Sequence, residues 1–249
     1  MPGLLTRYAN PARFDALARR VVPVAGIVAA LSLGAGAYLG LLASPPDHRQ
    51  GEAVRIMYVH VPAAWLALQT YAFVAIASLM GFVWRHRLAD VAAREAAPIG
   101  LAFTVLALVT GSLWGRITWG VWWDWDPRLS SMLVLAFLYA GYLAVWQALP
   151  PHQAPRIAAL LAMIGAINLP IIKFSVEWWD TLHQGASVIR ADGPAMPASM
   201  LWPLGLMALG HMAVFALVLL LNMRARLAEM RAAPAPRAPS RATLEPAAP

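Results

Sequence analysis

Residues 96–114 read AAPIGLAFTVLALVTGSLW, residues 115–128 read GRITWGVWWDWDPR, and residues 129–149 read LSSMLVLAFLYAGYLAVWQAL. The two outer pieces are apolar runs of the length, about 20 residues, that crosses a bilayer as a helix. The middle piece is a short connection that opens directly after Trp114. Together with that residue it holds Trp119, Trp122, Trp123 and Trp125, five tryptophans in twelve positions. An aromatic segment of this density between two spans either anchors the chain at the membrane edge or receives a flat apolar ligand.

The rest of the chain supports the membrane reading. The 249 residues are 60% hydrophobic and 12% charged, about half the charged fraction of a soluble domain, with a mean hydropathy of +0.61. Six apolar runs suit helical spans: Val21 to Leu42, Val61 to Trp84, Ala96 to Trp114, Leu129 to Leu149, Ile157 to about Val176, and Met200 to Met223. The predicted fold is therefore an all-α integral membrane protein, a six-helix transmembrane bundle. Residues 1–20 form an N-terminal tail, 21–223 the membrane domain with its tryptophan-rich loop 114–128, and 224–249 a C-terminal tail. That tail is rich in Ala and Pro and lacks an apolar period, so it reads as disordered from Ala232 onward. No cleavable signal peptide stands out, because the first apolar run is too long for one.

The net charge of +7 does not indicate nucleic acid, because the basic residues sit in short loops and tails. Thirteen of the 19 Lys and Arg fall in the two tails, the loop after span two and the loop after span four. The remaining six are Arg49, Arg55, Arg116, Arg128, Lys173 and Arg190. The positive-inside rule then puts both termini in the cytoplasm and segments 43–60, 115–128 and 177–199 outside. Lys173, at the end of span five, can snorkel to the headgroups. Seven of the eleven tryptophans lie in or beside the outer segments, so the outer surface is the specialised one. Cysteine is absent, which excludes disulfides, thiolate metal sites and cysteine nucleophiles. No G-x-x-x-x-G-K-[ST] phosphate loop occurs, so any ATP use belongs to a partner.

An interfacial aromatic belt accounts for one or two tryptophans per helix end, not for five in one loop. A helical loop would put Trp119, Trp122 and Trp123 on one face, and an extended one would align Val121, Trp123 and Trp125. Either makes an aromatic plate, and contiguous exposed aromatic surface marks a binding site. Arg116 and Arg128 add guanidinium groups suited to carboxylates. A planar, apolar ligand with carboxylates at one edge describes haem, and loosely some lipids and isoprenoid carriers. Two outer segments also present a histidine near aromatic residues. His60 lies in Arg55-Ile56-Met57-Tyr58-Val59-His60-Val61-Pro62, at the mouth of span two, and His183 lies in Glu177-Trp178-Trp179-Asp180-Thr181-Leu182-His183. Neutral imidazole is a common axial ligand of haem iron, and one histidine on each face would make that iron six-coordinate. His48 is an outer alternate, His86 and His152 fall on the cytoplasmic side, and His211, inside span six, suits an interhelical hydrogen bond.

The run Trp119-Gly120-Val121-Trp122-Trp123-Asp124-Trp125-Asp126-Pro127-Arg128-Leu129 resembles the tryptophan-rich "WWD" domain of haem-handling membrane proteins. Six spans, together with Arg55 to Trp65, Gly111 to Gly115, Asn168 to Ile172 and Ser175 to Gly185, are similar to the CcmC family, the haem transporter of cytochrome c maturation. The resemblance covers most of residues 45–190. It implies a bacterial inner-membrane protein that holds haem b at the periplasmic face. His60 and His183 would be the axial ligands, with Trp114, Trp119, Trp122, Trp123, Trp125 and Asp126 lining the site and Arg55 and Arg128 near the propionates. It further implies delivery of the haem to a periplasmic haem chaperone, and association with ABC transporter subunits and a small single-span subunit. The chain is expected to be a transfer protein and not an enzyme. A haem lyase acting on apocytochrome, or a haem-free lipid-handling or structural subunit of an ABC exporter, are the alternatives. The chain departs from the family pattern at Asp124, Pro127 and Lys173, and Asp124 is expected to point to water.

Overall fold

A computed structural model describes residues 10–183, 185 and 187–232. The first nine residues and most of the predicted C-terminal tail lie outside that range. The described chain is all-helical, with six helical segments long and apolar enough to cross a membrane: Pro11–Ala43, Glu52–Trp84, Arg87–Thr118, Pro127–Ala148, Ala154–Trp178 and Ala198–Ala232. Within them we number α1 (Pro11–Ala37), α2 (Met57–Trp84), α3 (Arg87–Thr118), α4 (Pro127–Ala148), α5 (Ala154–Gly165), α6 (Asn168–Trp178) and α7 (Ala198–Ala232). A π-helical turn, Tyr38–Ala43, extends α1, and a 3₁₀ segment, Glu52–Ile56, leads into α2.

Several helices run past their apolar cores because local signals set their ends. Asn10 caps α1 by accepting a 2.8 Å hydrogen bond from the Ala12 amide, next to Pro11 at a first-turn position where its missing N–H costs nothing. Asp126 and Pro127 do the same for α4, which gives the proline departure a local reason. The fifth span is two helices. Pro170 has no N–H to return to the Ala166 carbonyl and crowds it, so the chain tightens at Ala166 and Ile167 before α6 begins. Asn168, at the break, donates to the Ser131 carbonyl of α4 at 2.9 Å.

Helices α2 and α3 form the most extensive pairing, and α1 packs along α7. Between α2 and α3 the close approaches fall at glycines, Gly81 against Asp90 and Gly111 against His60, and Ala63, Ala67, Ala93, Ala96 and Ala97 of the two helices are fully buried; small side chains let backbones approach where lipid offers no hydrophobic penalty to helix separation. Helix α4 packs on α3 and on α5 and α6, while α7 also contacts α2 and α3. The site-bearing ends of α2, α3, α4 and α6 thus converge at one end of the bundle.

Candidate functional site

His60 lies in the first turns of α2. Its Nδ1 is 3.1 Å from the Thr110 hydroxyl on α3, and that hydroxyl spends its single proton on the Leu106 carbonyl at 2.6 Å. The hydroxyl must therefore accept from His60, which places the ring proton on Nδ1 and leaves the Nε2 lone pair open. Trp114 meets the ring edge-to-face, with centroids 5.7 Å apart. Gly111 makes room for it: a Cβ there would stand 2.9 Å from His60 Cε1. Trp114 is itself fixed, because its Nε1 donates to Gln50 Oε1 at 2.9 Å.

The chain leaves α3 at Thr118 and is not helical again until Pro127. Gly120, at φ +79°, takes the left-handed conformation that turns the segment. Arg116 donates to the Gly120 carbonyl and Ser112 to the Trp122 carbonyl, tying the turn back onto α3. The helical arrangement of Trp119, Trp122 and Trp123 therefore does not form. Trp123 and Trp125 pack edge-to-face at 5.6 Å, as the extended alternative requires. Trp122 and Trp125 are exposed, at 59% and 75%. The indole Nε1 of Trp123 is buried and has no partner among the described residues, which leaves it an unmet donor.

Asp126 is 4% exposed, so it does not belong to the aromatic surface. One carboxylate oxygen accepts from the Leu129 amide at 2.8 Å, which caps α4. The other accepts from the Thr181 hydroxyl and from His183 Nδ1, the latter at 3.0 Å. The His183 amide donates to the Thr181 hydroxyl at 3.1 Å, and the ring lies edge-to-face on Trp119 at 4.9 Å. Burial alone would raise the Asp126 carboxyl, but the hydrogen bonds from Thr181, Leu129 and His183 hold it below the ordinary value. Burial lowers His183 against the pull of Asp126. Near neutrality the pair is thus a carboxylate accepting from a neutral imidazole, with Nε2 open. The two rings thus stand against tryptophans five positions apart, His60 against Trp114 and His183 against Trp119.

Arg128 stands at the start of α4. It donates to the Ser175 hydroxyl at 3.3 Å and to the Ile172 and Lys173 carbonyls at 3.5 and 3.3 Å. All three acceptors are neutral, and the charged neighbours of the guanidinium, Asp126 and Glu177, are not hydrogen-bonded to it among the described residues. Arg55 is held differently: it pairs with Glu52 and reaches the Gly40 carbonyl at 3.4 Å. Among the described residues no hydrogen bond joins it to either histidine or to the tryptophan segment. Asp124 is exposed and borders a cleft of about 420 Å³ lined also by Trp125, Asp126, Asp180, Thr181 and Leu182. Lys173 is exposed, and only its carbonyl enters the site. His211 differs from expectation. Its Nδ1 bonds the Met207 carbonyl of its own helix at 2.7 Å, so it makes an intrahelical bond, with Phe103 of α3 alongside at 5.9 Å. Thr110, Thr181, Gln50 and Ser175 do not stand out in the sequence, since single polar residues carry no pattern; the adjacency of Thr181 to His183 was their one signal.

The fold defines a polytopic membrane protein, in which His60 and His183 each pack against a tryptophan of the 114–125 stretch. The family model described as Heme exporter protein C matches residues 4–237. The chain is 52% identical to Heme exporter protein C of Bradyrhizobium diazoefficiens, over 88% of this chain and 84% of the relative. It is 42% identical to that of Escherichia coli K12, over 88% and 89%, and 37% identical to that of Paracoccus denitrificans, over 91% and 94%. The chain belongs to the heme exporter protein C family.

Proposed function

We propose that this protein holds a b-type haem at the periplasmic face of the inner membrane and presents it to a periplasmic haem chaperone during c-type cytochrome biogenesis. The observation that carries the reading is the matched state of two imidazoles. His60 and His183 each commit Nδ1–H to an acceptor, which leaves Nε2 as the iron-binding atom of both. The remaining groups suit the same cargo. Indole faces accept the flat apolar macrocycle, Trp123 Nε1 offers a donor, and Arg128, which is hydrogen-bonded only to neutral acceptors, offers its guanidinium to a propionate. In this reading Asp126 acts through His183 and does not line the haem, and Arg55, whose Nε is paired with Glu52, has its remaining N–H groups for a propionate. Basic loops and tails support placing the opposite end of the bundle in the cytoplasm. ABC transporter subunits and a small single-span subunit complete the assembly, and the family's printed name agrees with a transport role.

Such a carrier forms no covalent bond to its cargo. Protein purified from haem-replete cells should release all its haem into acidified acetone, and the extract should give the pyridine haemochrome of protohaem. Haem that stays bonded to the chain would overturn the carrier reading in favour of a lyase-like reaction, and protein isolated without haem from such cells would favour a lipid-handling role.

A further inference from the structure

The two imidazoles are matched in tautomer but not in what holds them. His183 donates to a carboxylate that is itself immobilised by the Leu129 amide and the Thr181 hydroxyl. His60 donates to a hydroxyl, with the Ala107 carbonyl also close to the ring, and both acceptors are neutral. Hydrogen bonds to a charged acceptor are about twice as strong as neutral ones. A carboxylate behind a metal-ligating imidazole increases electron donation from the far nitrogen, and losing such a partner costs about 10–100-fold in metal affinity.

We infer that the two iron ligands are unequal by construction: Asp126 makes His183 the retained ligand, and His60 is the one that detaches first when the haem is handed on. The inference rests on the reading that both rings bind haem iron. It assigns Asp126 as a positioning residue that acts through His183. It also gives the transfer a direction, because an incoming donor takes the place of His60, on the α2 side, while His183 and the tryptophan segment keep hold of the cargo. Among the described residues no carboxylate is hydrogen-bonded to His60, whose partner is the Thr110 hydroxyl.

The test uses the full chain in detergent, loaded with haemin, and follows haem loss to excess apomyoglobin by absorbance. Haem should leave His183→Ala about tenfold or more faster than it leaves His60→Ala. Asp126→Asn, whose amide oxygen still caps α4, should speed loss by about 10–100-fold in the His60→Ala background and leave the His183→Ala rate unchanged. A merely structural role for Asp126 predicts the same acceleration in both backgrounds. If Asp126→Asn fails to fold, Thr181→Val, which frees the carboxylate, should show the same selectivity at smaller size. Equal rates from the two single variants, or equal acceleration in both backgrounds, overturns the ordering and leaves the ligand assignment standing. Haem spectra unchanged in both histidine variants would instead overturn the assignment itself.

Discussion

Asp126 and His183 stand 57 positions apart in the chain, and their side chains meet at 3.0 Å. The same carboxylate starts α4, so one residue both begins a membrane helix and orients a ring that enters from another segment. Replacing it by Ala removes both jobs, whereas Asn keeps the cap. Losing an N-cap costs about 1 kcal/mol. Asp126→Ala should therefore be less stable than Asp126→Asn by about 1 kcal/mol, seen as a lower midpoint in a thermal melt of the detergent-solubilised chain.

Gly111 gives a way to move His60 without weakening its helix. Ala is the better helix former by about 1 kcal/mol, but its Cβ would stand 2.9 Å from the imidazole. Gly111→Ala should unfold no more easily than the wild type and yet bind less haem, as read by the haem-to-protein ratio after loading. Full loading would show that the ring position near α3 does not matter.

Arg128 is bonded only to neutral acceptors. Hydrogen bonds to charged groups contribute about 1.5–3 kcal/mol, so Arg128→Ala should weaken haemin binding by about tenfold or more. Haem dimethyl ester, which lacks the carboxylates, should bind the variant and the wild type alike. Discrimination between the two proteins by the ester would place the role of Arg128 elsewhere.

The Asp47 carboxylate accepts from the Arg49 and Gln50 amides at 2.8 and 2.9 Å, and Gln50 in turn receives the Trp114 indole. These bonds, that from Gln50 foremost, hold Asp47 below its ordinary value of 3.8. A depressed carboxyl stabilises the fold above its unfolded value, and that contribution fades as pH falls through the lower folded value. Trp114 fluorescence should thus stay constant down to about pH 4 and change below it, and Asp47→Asn should blunt the change.

Because the chain has no cysteine, its orientation can be read with single introduced thiols. Asp124→Cys should react with a membrane-impermeant maleimide added from the periplasmic side, and Arg87→Cys only after the inner membrane is opened. The reverse pattern would invert the topology.

Much of this was legible in the sequence because it depends on composition over long windows. The six spans follow from apolar length, and the histidines and tryptophans stand out as polar or aromatic residues at the ends of those spans. What joins them was not legible. Thr110 meets His60 across 50 positions and Asp126 meets His183 across 57, and neither pairing leaves a periodic trace. Asp126 within a tryptophan run reads as part of the plate, although the Asp126-Pro127 pair is also a helix start, which buries it. His211 shows the same limit: a polar residue inside a span has both its own helix and its neighbours within reach, and only packing decides between them.

Ligation of haem iron by both His60 and His183 would be visible in the optical spectrum of the haem-loaded chain. The wild type should show the sharp, low-spin bands of a six-coordinate bis-histidine haem. His60→Ala and His183→Ala should each shift to a high-spin spectrum and return toward the wild-type form when free imidazole is added. A wild-type spectrum retained in both variants would show that neither histidine binds the iron.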